Sequence, residues 1–190
     1  MGKKIIVLNG SPRVNGNTAA LAAHFIKGAE SAGHEVRRFD LQKMDIKPCL
    51  GCCAGGKDPK HPCVQRDGMD EIYPAFMEAD IVVLASPMYF WSFTAQLKAA
   101  IDRSFAVAEL DPDYRLHHKG CVMLMAAGGD SEPNFAPVKD FYASLLGHLG
   151  WKDLGMVLAG GVMAPGDIAG HHALEAVSYT HLTLPTTVPV

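Results

Sequence analysis

The chain lacks a strong excess of charge of either sign and lacks long hydrophobic runs. Its 17 lysines and arginines nearly balance its 20 aspartates and glutamates, which leaves a net charge of −3. No block of five or more basic residues occurs, which argues against a nucleic-acid-binding surface. The apolar runs are far shorter than the ~18 residues that a membrane-spanning helix needs. We therefore expect no nucleic acid and no membrane among the partners of this protein.

The amino terminus and the cysteines both bear on the cellular compartment. Residues 1–4 lead directly into a strand-like stretch rather than into a signal peptide. The chain has only five cysteines, one of them isolated at Cys121, which fits a reducing compartment better than a disulfide scaffold. With 190 residues, 48% of them hydrophobic, the chain is long enough for one domain with a sizeable core. We expect a cytoplasmic protein.

The last segment, residues 177–190, differs in character from the rest of the chain. It has neither the amphipathic period nor the caps of a helix, although it follows a helix start predicted at Gly166-Asp167. Back-translated, residues 177–186 resemble a sequencing adapter of the transposon type. We therefore expect the native domain to occupy residues 1–176, with its last helix cut short, and residues 177–190 to be a non-native tail.

Strand-like and helix-like stretches alternate along the chain. The predicted strands are Lys4–Asn9, Glu35–Asp40, Ile81–Ala85, Cys121–Ala126 and Met156–Ala159. The predicted helices are Thr18–Ala32, Met69–Glu78, Phe93–Val107 and Val138–Leu149. This alternation predicts an α/β fold, a doubly wound five-stranded parallel sheet with helices on both faces. Ligands bind such sheets beyond the carboxyl ends of the strands, which directs attention to the loops 10–18, 86–93 and 127–134.

The loop after the first strand has the composition of a phosphate-binding turn. It reads GSPRVNGNT over residues 10–18 and leads into a helix, whose first N–H groups are unpaired and partly positive. It lacks the Lys-Ser/Thr pair of triphosphate loops and the three spaced glycines of dinucleotide sites. Its donors suit one terminal phosphate monoester, and they are Ser11, Arg13, Asn15, Asn17 and Thr18. The alternative is a polar turn that only caps the helix.

The loop after the third strand is rich in aromatic residues. It contains the run Pro87-Met88-Tyr89-Phe90-Trp91, whose rings would be costly to expose unless a flat ligand or a second subunit covers them. We expect the backbone amides from Met88 to Trp91 to donate to the polar edge of such a ligand. The alternative is an aromatic plug that packs against the next helix or a dimer face.

The loop after the fourth strand begins with a turn of residues that have small side chains or none. The turn Ala127-Gly128-Gly129 would let the backbone approach a ligand closely. Because parallel strands end at the same edge of the sheet, we expect this turn to lie in the same crevice as the two preceding loops.

These segments together resemble the NAD(P)H-dependent FMN reductases and related flavodoxin-like proteins. The resemblance rests on residues 10–18, on the aromatic loop and on the run from Leu97-Lys98 to Asp102-Arg103, and it covers residues 1–176. It implies a flavodoxin-like fold that binds FMN, with the phosphate on residues 10–18 and the ring beside residues 87–91 and 127–129.

The same resemblance implies a function. NAD(P)H would donate electrons through FMN to a small-molecule acceptor such as a quinone, a free flavin, or a nitro- or azo-aromatic compound. Because the flavin carries the reacting atom, we expect no catalytic side chain. The resemblance also implies a homodimer or homotetramer, in which the flavin sites are completed across the interface.

Four cysteines form a second candidate site. Cys49, Cys52, Cys53 and Cys63 lie between the second strand and the next helix, and thiolates ligate zinc and iron–sulfur clusters. The segment resembles that of the iron–sulfur flavoproteins, but the compact cluster pattern places its third cysteine near position 55, which is Gly55 here. We expect no metal. The alternatives are a cluster on these four cysteines, zinc held by Cys49, Cys52, Cys63 and His61, and a redox-active Cys49–Cys52 pair.

An electron carrier is the alternative class of function. A flavodoxin or an iron–sulfur flavoprotein would pass electrons to protein partners instead of oxidising a nicotinamide. A net charge of −3 offers little electrostatic steering toward basic redox partners. The reductase is therefore the favoured prediction.

Overall fold

Five parallel strands form the centre of the molecule. The computed structural model describes residues 2–180, and its strands are β1 (Lys4–Asn9), β2 (Glu35–Asp40), β3 (Ile81–Pro87), β4 (Gly120–Ala126) and β5 (Lys152–Ala159). They pair in the order β2-β1-β3-β4-β5, every neighbouring pair being parallel. This is the strand order of flavodoxin-like doubly wound sheets, so the predicted fold class is confirmed.

Helices cover both faces of the sheet. They are α1 (Asn17–Ser31), α2 (Met69–Glu78), α3 (Ala95–Arg103), α4 (Phe105–Ala108), α5 (Glu132–Leu149) and α6 (His172–Thr180), with a short 3-10 turn at Leu41–Lys43. Alternate residues of β1 point to opposite faces. Ile5 and Val7 join the core beneath α1 and α6, whereas Ile6 and Leu8 join the core beneath α2, α3 and α5.

Several element boundaries differ from the sequence-based prediction. The helix predicted over Phe93–Val107 is divided into α3 and α4 at Ser104, whose hydroxyl donates to the carbonyl of Ile101 and competes with the helical backbone pattern. Helix α5 begins at Glu132, earlier than predicted, because Pro133 lies in the first turn, where its missing N–H costs nothing. Strand β5 is also longer than predicted at its start.

The last helix begins later than predicted and crosses the predicted domain boundary. Asp167 does not start a helix, because its carboxylate accepts from the N–H groups of Met163 and Ala164 and so closes a loop. Helix α6 instead begins at His172 and continues past residue 176, and Val177 is fully buried in the core beneath α1. The rest of the predicted tail, residues 181–190, lies outside the described residues. Between residues 2 and 180 no helix is long and apolar enough to cross a membrane.

Candidate functional site

A cleft of about 270 Å³ lies at the carboxyl ends of β1, β3 and β4. The three loops that the sequence singled out meet there. Most of the predicted FMN-site residues line the cleft, namely Ser11, Arg13, Asn17, Thr18, Pro87, Met88, Tyr89, Ala127 and Gly128. Asn15, Phe90, Trp91 and Gly129 are not among the lining residues.

One end of the cleft is the amino terminus of α1. No side chain in the described part of the molecule caps this helix, and its first backbone hydrogen bond runs from the N–H of Ala20 to the carbonyl of Gly16, 3.0 Å long. The N–H groups of Asn17, Thr18 and Ala19 precede that bond and have no acceptor between residues 2 and 180. Three unpaired donors with the positive end of a helix dipole behind them form an anion site.

The loop before α1 is held in a fixed shape by its own polar groups. The Ser11 hydroxyl accepts from the N–H of Arg13 at 3.2 Å and is 3.0 Å from the Arg13 carbonyl, to which it donates. A Cβ at Gly16 would lie 2.9 Å from the Cβ of Arg13, so this tight turn requires glycine there. The hydroxyl of Thr18, in contrast, makes no hydrogen bond with any other described residue. Ser11 therefore shapes the loop, and Thr18 keeps a free donor in the cleft.

A chain of hydrogen bonds that runs from Asp40 through Asn9 holds the loop in place from behind. The side-chain amide of Asn9 donates to the Asp40 carboxylate at 2.7 Å, and its oxygen accepts from the N–H of Ser11. Burial alone would raise the pKa of Asp40, but hydrogen bonds from Asn9 and Arg38 outweigh burial and hold that pKa below its usual value. Asp40 is thus a stable anion that orients Asn9, and Asn9 positions the loop.

A fourth segment, which the sequence did not single out, closes the phosphate end of the cleft. We call residues 162–168 the strap. Val162 and Met163 line the cleft, and Arg13 donates to the Met163 carbonyl at 3.1 Å. The buried side-chain amide of Asn17 donates to the Ala164 carbonyl at 2.9 Å. Its oxygen accepts from the N–H groups of Gly166 and Ile168 in the strap. The side chain of Asn17 thus holds the strap, which leaves its backbone N–H as its donor toward the cleft.

The aromatic loop forms a two-residue hairpin turn. Tyr89 and Ser92 exchange backbone hydrogen bonds of 3.0 and 3.1 Å, and between them Phe90 and Trp91 have φ angles of 48° and 60°. Two positive φ angles define a type I′ turn, which favours Asn-Gly, so bulky residues here are strained. Phe90 is 95% exposed and Trp91 is 54% exposed. Strain and exposure together indicate a contact surface rather than a core plug.

Two of the four amides predicted to face the ligand are already engaged. The N–H of Met88 donates to the Ala126 carbonyl at 2.8 Å, and that of Tyr89 donates to Ser92 in the hairpin. Only the N–H groups of Phe90 and Trp91 remain free of partners within residues 2–180. The expectation that all the amides from Met88 to Trp91 donate to a ligand is therefore wrong for Met88 and Tyr89.

Thr94 joins the aromatic turn to the phosphate loop. Its hydroxyl donates to the Gly10 carbonyl at 2.8 Å, its N–H donates to the Ser86 hydroxyl at 3.0 Å, and its side chain caps α3. A Cβ at Gly10 would lie 2.6 Å from the Thr94 hydroxyl, so this contact requires glycine. The helix-capping preference of threonine was the one available signal for this residue in the sequence.

The cysteines line a separate, smaller cavity of about 90 Å³ near the carboxyl end of α3. We call it the cysteine pocket, and it contains Cys49, Cys52, Cys53 and Cys63. His61 is not among the lining residues and instead lies beside Arg66 and Asp70, so the zinc site with His61 is not assembled. In residues 2–180, no group of three or more His, Cys, Asp or Glu side chains is placed to hold a metal ion.

Comparisons with known proteins agree with this fold. The sequence profile of the family described as NADPH-dependent FMN reductase matches residues 3–155. An iron–sulfur flavoprotein of Archaeoglobus fulgidus is 33% identical over 173 residues, which span 91% of this chain and 75% of that protein. A Bacillus subtilis protein named as an NAD(P)H-dependent FMN-containing oxidoreductase, YwqN, is 28% identical over 92% of this chain and 94% of its own.

Solved structures show the same architecture. The NAD(P)H:quinone oxidoreductase of Methanothermobacter marburgensis superposes with a TM-score of 0.77 over the full length of both chains, at 19% identity. The chain belongs to the NADPH-dependent FMN reductase family, and it is an FMN-dependent oxidoreductase with NAD(P)H as electron donor. The uncapped helix terminus and the free donor of Thr18 fit the phosphate of FMN.

Proposed function

We propose that the protein passes a hydride from NAD(P)H through FMN to a small-molecule acceptor, of the class of quinones, free flavins, or nitro- and azo-aromatic compounds. The observation that carries this proposal is the uncapped amino terminus of α1, which lies at one end of the cleft. The exposed aromatic turn lies beside the same cleft. A phosphate anchor and an open aromatic rim are what a flavin needs if a second molecule is to reach its ring.

The phosphate would be held by backbone and side-chain donors together. The N–H groups of Asn17 and Thr18, the Thr18 hydroxyl and the Arg13 guanidinium surround the same end of the cleft. Arg13 uses one N–H for the Met163 carbonyl, and a guanidinium has five, so donors remain for an anion. Charge-assisted hydrogen bonds of this kind contribute about 1.5–3 kcal/mol each.

The ring would lie between the aromatic turn and the glycine turn. Pro87, Met88 and Tyr89 line one wall, and Ala127 and Gly128 line the other. When bound, FMN would supply the redox chemistry itself, because its ring can take electrons from the donor and pass them to the acceptor. The protein's own task is to bind, to orient and to exclude water, and no side chain in the cleft is assigned a catalytic role.

The exposed rings beside the cleft support an oligomer. Tyr89, Phe90 and Trp91 form an apolar surface on a strained turn, and such surfaces are commonly covered by a partner. We propose a homodimer or homotetramer in which a second copy covers this turn and so completes the wall of the flavin cleft.

The test is anaerobic turnover with defined donors and acceptors. Protein loaded with FMN is mixed with NADH or NADPH, and the bleaching of the flavin absorption is followed before and after a quinone, a free flavin or a nitroaromatic compound is added. The proposal predicts rapid bleaching by a nicotinamide and recovery with at least one acceptor. Flavin that is reduced by dithionite but not by either nicotinamide would instead support an electron carrier with a protein partner.

A further inference from the structure

The cysteine pocket has a composition that suggests a metal centre, because four sulfur-bearing side chains line one small cavity. Cys49, Cys52 and Cys53 are exposed and Cys63 is half-buried, whereas Cys121 is fully buried in the sheet. The N–H of Gly51 donates to the Cys49 sulfur at 3.4 Å, so the turn that carries the first cysteines is already folded.

Position 55 decides what this pocket can hold. A compact four-iron cluster loop follows the pattern Cys-x₂-Cys-x₂-Cys, which begins here with Cys49 and Cys52 and would place its third ligand at position 55. That residue is Gly55, and its N–H donates to the Glu109 carboxylate at 3.1 Å. A Cβ added at Gly55 would overlap Glu109 and would lie 2.7 Å from the Pro62 carbonyl oxygen.

The surrounding chain holds that obstruction in place. The N–H of Gly56 donates to the carbonyl of Pro62 at 2.8 Å, so the two arms of the loop are paired next to Cys63. Glu109 follows α4 directly, and its carboxylate reaches across to the loop. The place of the third ligand is therefore filled by a carbonyl and a carboxylate, and no side chain at position 55 can enter the pocket.

Cys53 is a poor substitute for the missing ligand. It follows Cys52 directly, and adjacent side chains diverge rather than converge on one cluster. Its backbone is in the left-handed region with φ of 46°, and its sulfur lies 3.9 Å from the Gly51 carbonyl, to which it donates weakly. Cys53 lines the pocket, but its sulfur is engaged with its own turn.

We infer that the cysteine pocket is a free-thiol site and does not hold the iron–sulfur cluster for which the chain's relatives are named, because Gly55, Pro62 and Glu109 close the position of the third ligand. The inference rests on the proposed function in one respect. If the protein has the proposed function and holds no cluster, FMN is its redox centre and passes electrons to the acceptor without an iron–sulfur relay.

The experiment is anaerobic cluster reconstitution of the FMN-loaded full chain with ferrous iron and sulfide, followed by desalting. Iron and sulfide are quantified, and each cysteine is then alkylated with iodoacetamide and mapped by peptide mass spectrometry. The expected result is iron far below one per chain, fast alkylation of Cys49, Cys52 and Cys53, slower alkylation of Cys63, and alkylation of Cys121 only after unfolding. About four iron and four sulfide per chain, with the pocket cysteines protected, would overturn the inference.

A matched pair of variants tests the role of position 55. Gly55→Ala and Gly55→Cys should lower the urea midpoint by similar amounts, because the Cβ causes the overlap, and neither should retain iron. A Gly55→Cys protein that is as stable as wild type and gains a cluster would contradict the filled-ligand argument. NAD(P)H turnover measured on the same wild-type sample separates the two proposals. A clustered enzyme that turns over overturns only this inference, and a cluster-free protein without turnover overturns only the proposed function.

Discussion

Arg103 and Asp67 form a bidentate ion pair that is almost completely buried. The two guanidinium nitrogens lie 2.7 and 3.1 Å from the two carboxylate oxygens, and the side chains are 1% and 0% exposed. Burial would raise the pKa of Asp67, but hydrogen bonds from Arg103 and from the N–H groups of Lys47 and Met69 outweigh burial and keep that pKa below its usual value. Arg103 also donates to the Lys47 carbonyl, so both ends of the cysteine segment are tied to α3.

Removing one partner of this pair should destabilise the protein strongly. Asp67→Asn leaves a buried guanidinium without its counter-charge, and we expect the free energy of unfolding to fall by about 3–5 kcal/mol. The matched control is Asp102→Asn, which breaks the half-exposed Lys98–Asp102 pair and should cost less than about 1 kcal/mol. Urea denaturation of the two variants and wild type measures both effects. Equal losses would show that the buried pair has no special role.

The strap should affect flavin binding through Asn17. Asn17→Ala removes the three hydrogen bonds that hold residues 164–168, each worth about 0.5–1.5 kcal/mol net. We expect FMN affinity to fall roughly tenfold, because the phosphate end of the cleft opens. Asp167 does not line the cleft, but its carboxylate holds the strap closed. Asp167→Asn should therefore also weaken FMN binding. Unchanged dissociation constants in both variants, measured by flavin fluorescence, would refute this role of the strap.

Stability should rise with pH above neutrality because of one buried lysine. Burial lowers the pKa of Lys119 to about 8, from 10.5 in an exposed lysine. Its ammonium donates to the carbonyl of Ala79 at 2.6 Å and lies over the Phe76 ring. Between these two pKa values the unfolded chain holds the proton that the folded chain has lost, so Lys119 makes the free energy of unfolding increase as the pH rises. Above pH 9.0 the buried Cys121 thiol, whose pKa is raised to about 12 by burial, acts in the opposite direction, so the rise should be seen between pH 8 and 9.

Two variants isolate this contribution. Lys119→Met should lack the rise between pH 8 and 9, whereas Lys152→Met, which removes an exposed lysine, should keep it. Urea denaturation at several pH values, with a reductant to protect the thiols, gives the three curves. If the curves for wild type and Lys119→Met run parallel, Lys119 does not titrate in this range.

The strain in the aromatic turn should lower the stability of the fold, and its exposed rings should contact a second subunit or the acceptor. Replacing Phe90-Trp91 by Asn-Gly supplies residues that suit two positive φ angles, and we expect the free energy of unfolding to rise by about 1–3 kcal/mol. The same double variant should assemble less tightly or show a higher KM for the acceptor, because the exposed rings are gone. A variant that is no more stable than wild type would contradict the strain, and unchanged assembly and KM would contradict the contact surface.

Local sequence signals predicted the sheet well because each strand carries its own apolar pattern. Ile81–Ala85 and Cys121–Ala126 are buried on both faces, and each follows the pattern expected for a central strand. The phosphate loop was equally visible, since its polar residues lie between a strand and a helix. The strap was not, because residues 162–168 carry no local motif and act only through Arg13 and Asn17, about 150 positions earlier in the chain.

The buried ion pair and the closed position of the third cluster ligand could not be predicted from the sequence for the same reason. Asp67 and Arg103 are 36 positions apart, and Gly55 and Glu109 are 54 apart. Each pair becomes visible only when α3 and α4 are folded against the cysteine segment. Sequence patterns report local periodicity, and these contacts depend on tertiary packing.

The measurement that tests the central claim most directly is a comparison of FMN with riboflavin, which differ only in the phosphate. The account predicts that the wild-type protein binds FMN at least about tenfold more tightly than riboflavin. Arg13→Ala should narrow that ratio, and Arg115→Ala, which removes an exposed arginine away from the cleft, should leave it unchanged. Equal affinity for the two flavins in wild type would contradict the placement of the phosphate at the amino terminus of α1.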